Sequence, residues 1–141
     1  MSDKRRLAAL SVILKAKQRE LDRIAGELTT LRAQQSQVLR SIDELDKRRD
    51  TESYSASLEA QSFVVTFLQA LAAERRQAVE KLSELDDMCA VLEEQVRDRF
   101  IELQKWRLSS RKLGETIVYE ARRLENAQMD EIGNILFNQK N

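Results

Sequence analysis

The chain has 141 residues, among them no Pro, three Gly, one Cys and no His, and 34% of it is charged. Lys plus Arg and Asp plus Glu number 24 each, so no net field draws the whole protein to nucleic acid or an anionic membrane. One Cys without His excludes a disulfide framework, a zinc set and an imidazole base, and so few turn residues exclude a compact α/β or all-β domain.

What remains, rich in Ala, Glu, Lys, Leu, Arg and Gln, is the composition of long helices. The opening "MSDKRRLAAL" is basic, but no apolar block or cleavage site follows it, so it does not read as a signal peptide. The apolar runs are too short to span a membrane, and the expected compartment is the cytoplasm. Charge is uneven along the chain. Residues 1–50 hold 12 basic and 8 acidic groups, a net of +4, which leaves −4 for residues 51–141. Opposite halves favour an antiparallel hairpin, weakly at exposed positions.

Helix one is expected over about residues 2–47. Leu7, Leu10, Leu14, Leu21, Ile24, Leu28, Leu31, Val38, Ile42 and Leu45 fill ten of twelve successive a and d heptad positions, with Lys17 and Gln35 the exceptions. Gly26 falls on the outer face, where it costs about 1 kcal/mol without breaking packing. The seam stops at "DKRRDTESYSASLEA", where Thr51, Ser53, Ser55 and Ser57 favour caps over helix interiors. The reversal is placed here, at about residues 48–57. The basic residues of "DKRRD" admit two readings, a phosphate-binding patch or a solvated turn.

Helix two is expected over about residues 58–137. Its stripe runs through Val64, Leu68, Leu71, Ala78, Leu82, Leu85, Cys89, Leu92, Val96, Leu103, Trp106, Leu113, Ile117, Leu124 and Ala127. Arg75, Arg99, Ser110 and Glu120 interrupt it. Cys89 sits in the stripe and reads first as a buried structural thiol, second as a reactive one. Phe63 and Phe67 lie one turn apart beside the seam, either widening the core near the turn or forming an aromatic patch for a partner.

Neither helix can bury its stripe alone, so the expected fold is all-α: two long helices in an antiparallel coiled-coil hairpin, the second longer. At 1.5 Å per residue they measure about 70 Å and about 120 Å. With Leu45 near Gln61, Leu7 meets Arg99, and residues beyond about 104 have no partner in the chain. Past Ala127 the next seam positions, Glu131 and Asn134, are polar, and the apolar residues are Met129, Ile132, Ile135 and Leu136. Such a skip changes local winding and re-aims the face. Two readings stand for this tail: an amphipathic end that frays, or a docking tip.

Catalysis finds no motif. The Gly residues stand far apart, so there is no phosphate loop, and the carboxylate pairs Asp43–Glu44 and Asp86–Asp87 belong to solvated helix faces. No enzyme activity, cofactor, metal, nucleic acid or small-molecule substrate is expected.

"RLENAQMDEI", Arg123 to Ile132, resembles the tail of the FliJ/YscO family of type III export proteins, in which Arg-Leu and an acid precede Met-Asp-Glu. "QSFVVTFLQAL" resembles that family's segment after the turn, and Trp106 among mixed charges resembles the middle of its second helix. The likeness covers roughly residues 59–137. Two departures are Phe67, where an aliphatic residue is expected, and a shorter turn without Gly. The resemblance implies a stalk in the centre of a hexameric export ATPase that also contacts the export gate and handles export chaperones. The flagellar system is the nearer of the two the family serves. It would then work in the cytoplasm, peripheral to the inner-membrane export apparatus. By the same resemblance Arg123, Leu124, Met129, Asp130, Glu131 and Ile132 would face the ATPase, and Phe63, Phe67 and Ala70 the gate. The rival readings are a coiled-coil scaffold that pairs with its own copy and an export chaperone.

Overall fold

The structure, a computed structural model, describes residues 2–54 and 61–140. Two α-helices make up nearly all of it: α1, Asp3–Tyr54, and α2, Gln61–Lys140. The all-α expectation is met, and α2 is the longer helix. Ser2 opens α1 as its cap. Its Oγ accepts the Arg5 backbone N–H at 3.3 Å, which satisfies one of the orphan donors of the first turn.

The end of α1 differs from the sequence reading. Helix one was expected to stop near residue 47, and α1 continues to Tyr54, about two turns farther. The hydroxyls explain this. Thr51 Oγ1 donates to the Lys47 carbonyl at 2.9 Å, and Ser53 Oγ donates to the Arg49 carbonyl at 2.8 Å. Residues read as turn formers bond back onto the helix instead of competing with it. The rest of the expected turn, residues 55–57, and the expected start of helix two near residue 58 lie outside the described residues.

Contacts divide the chain into two units, Asp22–Arg97 and Met1–Leu21 with Asp98–Asn141. In the first, Ile24, Leu28, Leu71, Leu85 and Cys89 are buried, and Leu85 is 1% exposed. Arg32 Nη2 donates to Glu93 Oε1 at 2.9 Å, Gln35 Nε2 to Asp86 Oδ1 at 2.6 Å, and Arg75 Nε to Asp46 Oδ1 at 2.8 Å. As α1 positions rise, their α2 partners fall, so the two segments run antiparallel. Leu45 shares a groove with Leu71 and Arg75, about ten residues or more beyond the expected level of residue 61.

In the second unit Leu21 and Leu103 are buried. Lys17 Nζ donates to Glu102 Oε1 at 2.6 Å, and Arg107 Nη2 donates to Gln18 Oε1 at 2.6 Å. Leu7 lines a groove with Gly114, Ile117 and Val118, not with Arg99. The pairing in both units is thus displaced by about two heptads from the expected one. The extra turns of α1 are the cause, because each residue added before a reversal moves the facing register by two.

The seams themselves hold. Every a and d position of α1 from Leu7 to Leu45 is buried or half-buried, Lys17 and Gln35 included. Three of the polar interruptions are matched to a carboxylate on the other helix: Lys17 to Glu102, Gln35 to Asp86 and Arg75 to Asp46. Each such contact fits one register only, so it specifies alignment that Leu on Leu would leave loose.

Candidate functional site

The displaced pairing moves the boundary between covered and uncovered α2. Trp106, Leu113 and Ile117, which the sequence reading left without a partner, are half-buried. Trp106 lies beneath the Lys17 ammonium, 5.6 Å from ring centroid to Nζ, a cation–π contact. The bond from Lys17 holds the Glu102 carboxyl below its ordinary value, aided by the charge of Lys17. Asp46 is likewise lowered, first by its bond from Arg75.

From Val118 to Gln139 every residue is exposed, and the segment is continuous α-helix. Leu124 is 62% exposed and Ile132 is 54% exposed. On a straight helix of 3.6 residues per turn, Ile117, Ala121, Leu124, Ile132 and Ile135 fall on one stripe. Ile117 to Ile135 spans five whole turns, so the stripe continues the side that faces α1, with the polar Gln128 between Leu124 and Ile132. The skip seen after Ala127 is a change of period, from the 3.5 of paired helices to the 3.6 of a lone one.

The residues named by resemblance do not form one patch. Leu124 and Ile132 share the continuing stripe, and Glu131 borders it. Met129 lies about a quarter turn or more to its other side, while Arg123 and Asp130 point nearly opposite Ile132. All six are exposed. A partner that contacts the whole set must surround the helix.

Near the start of α2 the two aromatics part company. Phe63 is 80% exposed, whereas Phe67 is half-buried under the Arg48 guanidinium at 5.6 Å. Ala70 is exposed. The basic cluster of residues 46–50 is engaged with its own carboxylates: Lys47 Nζ lies 3.0 Å from Asp43, and Arg49 lies within 3.6 Å of Asp46 and 3.3 Å of Asp50. These residues lie within α1, so the charges read as a solvated turn belong to a solvated helix face instead, and their carboxylate contacts do not favour a phosphate patch.

One surface escaped the sequence reading. Phe100, Ile101, Leu108, Val118 and Tyr119 are all exposed, with Tyr119 at 66%. They occupy off-seam positions of α2, Ile101, Leu108 and Tyr119 on the side turned away from Leu103, Trp106 and Leu113, and Phe100 and Val118 on its flank. Their mutual spacing of seven, ten and eleven is the signal that would have found them, had a second stripe been sought.

No described helix is long and apolar enough to cross a membrane. Comparison with family models, with curated proteins and with solved structures returned no match for this chain.

Proposed function

We propose that this protein is the stalk of a type III export ATPase, of the flagellar kind, and acts as a coupling component and not as an enzyme. The observation that carries the reading is the exposed stretch from Val118 to Gln139, an intact helix whose apolar stripe continues past the end of its cover in the chain. Such a stripe suits a sleeve. The likeness of Arg123–Ile132 to the FliJ/YscO tail gives the sleeve a name, the hexameric ATPase ring. Arg123, Leu124, Met129, Asp130, Glu131 and Ile132 radiate around the helix, as contacts to a ring must. A stalk matched loosely to a six-fold partner is served by modest patches of mixed charge, not by one deep hot spot.

Phe63, with Phe67 and Ala70 beside it, is the surface this reading assigns to the export gate, which would place the protein at the cytoplasmic side of the inner membrane. Export chaperones are further partners of the same reading.

The test is stimulation of the purified export ATPase by the full chain. Leu124→Asp together with Ile132→Asp should abolish stimulation and ring binding while leaving the thermal midpoint unchanged, because both positions are exposed. Absence of binding and stimulation by the unaltered chain would overturn the proposal. Loss of self-association in the same double variant, with the ATPase indifferent throughout, would transfer the stripe to the scaffold reading.

A further inference from the structure

We infer that the side of α2 turned away from α1 is an isologous interface, on which a second copy of this chain packs antiparallel over residues 100–137. The inference rests on a different face from the stripe of Leu124 and Ile132, shares only Met129 with the residues assigned to the ring, and stands without that reading.

The face is exposed throughout. Phe100, Ile101, Leu108, Val118, Tyr119, Met129, Leu136 and Phe137 are between 41% and 66% exposed. Along an α-helix they line one side, with Gln104, Arg111, Glu115, Arg122 and Gly133 between them. Since Leu103, Trp106 and Leu113 face α1, a helix laid on this side meets no part of α1 within the unit.

What selects the occupant is the symmetry of the sequence about the point between Val118 and Tyr119. Positions equidistant from that point match in kind. Phe100 corresponds to Phe137, Ile101 to Leu136, and Leu108 to Met129. A two-fold interface needs this property, because each residue meets the counterpart of its own partner. Charge follows the same symmetry with opposite sign. Glu115 is level with Arg122 of the second copy, Arg111 lies one residue from the level of Glu125, and Lys105 lies two residues from that of Asp130. In the antiparallel arrangement Arg111 with Glu125 and Lys105 with Asp130 also fall on the same flank, and Glu115 and Arg122 meet near the midline of the face. None of these six charges forms an ion pair within the chain among the described residues. Parallel pairing would instead set Glu115 beside Glu115 and Arg111 beside Arg111, a like-charge ladder.

The overlap runs about 55 Å along the helix axis, long enough for an antiparallel coiled coil. Gly133 falls level with Gln104, so the longer side chain meets the one position with no side chain of its own. A Cβ at Gly133 would have nothing within 4 Å in the single chain, so the space is open until another molecule fills it. Met129 belongs to this face, whereas Leu124 and Ile132 lie off it and stay available in the dimer.

The experiment is sedimentation equilibrium of the full chain across the micromolar range, with circular dichroism to verify that each variant is folded. The unaltered chain should dimerise. Glu115→Arg and Arg122→Glu should each weaken the dimer by roughly tenfold or more, since each dimer contains the pair twice. The two changes together should restore it. Leu108→Asp should abolish the dimer, and Leu124→Asp should leave it intact. A monomer throughout the range overturns the proposal. So does a dimer lost on Leu124→Asp but not Leu108→Asp, or one that Glu115→Gln tightens, which is the behaviour of a parallel pair relieved of its like-charge contact.

Discussion

Leu113 and Leu124 belong to the same stripe of the same helix, yet Leu113 is half-buried and Leu124 is 62% exposed. Nothing in the chemistry of either residue accounts for this. The difference is that α1 reaches the level of the first and not that of the second. Periodicity in a sequence states which side of a helix must be covered. It is mute on whether the cover belongs to the same chain.

The largest expected effect tests that contrast directly. Leu103→Ala, at a position 1% exposed, should lower unfolding free energy by about 2–5 kcal/mol in urea titration. Leu124→Ala should change it by less than about 0.5 kcal/mol. An equal loss from the two would mean that the far part of α2 is already covered when the protein is alone. A smaller effect compares glycines. Gly26 and Gly133 both lie in helix with open space where a Cβ would stand. Gly26→Ala should stabilise by about 0.5–1 kcal/mol and raise the thermal midpoint. At dilutions where the chain is monomeric, Gly133→Ala should raise helicity by circular dichroism while leaving that midpoint in place, because an uncovered helix frays apart from the cooperative core.

The smallest effect is in acid. Glu102 and Asp46 titrate below their ordinary values, held down mainly by the bonds from Lys17 and Arg75. A lowered carboxyl adds stability that is full above its unfolded value, 4.5 for Glu102 and 3.8 for Asp46, and is lost as pH falls through the folded one. Lys17→Met should therefore differ from the unaltered chain at neutral pH and converge with it as pH drops past the Glu102 titration. A gap that persists in strong acid would show that Lys17 acts through Trp106, not through Glu102.

Much of this architecture was legible in the sequence. Every position of α1 that the heptads named from Leu7 to Leu45 is covered, and the interruptions at Lys17, Gln35 and Arg75 were visible as interruptions. Their purpose was not, because a polar residue in a seam declares no partner until the register is known. The register failed at Thr51 and Ser53. Side chains that cap a helix and side chains that bond back onto one are the same residues, and only the structure reveals which bond forms. From that error came the overestimate of the uncovered stretch, which claimed Trp106, Leu113 and Ile117. The second face of α2 was missed for another reason. A seam already filled by Leu103 and Ile117 draws attention from the apolar residues between, although Phe100, Leu108 and Tyr119 were in plain view.

The matched polar contacts also bear on how the chain finds its fold. Arg75 and Asp46 lie 29 residues apart in sequence, Gln35 and Asp86 51, Arg32 and Glu93 61, Lys17 and Glu102 85. Closing the longest of these loops from an unfolded chain costs about 1 kcal/mol more than closing the shortest. Once the shortest is made, each further contact adds only a few turns of helix to an existing pair. Folding should accordingly advance from Asp46–Arg75 outward, with Lys17–Glu102 among the last contacts to form and the first to open.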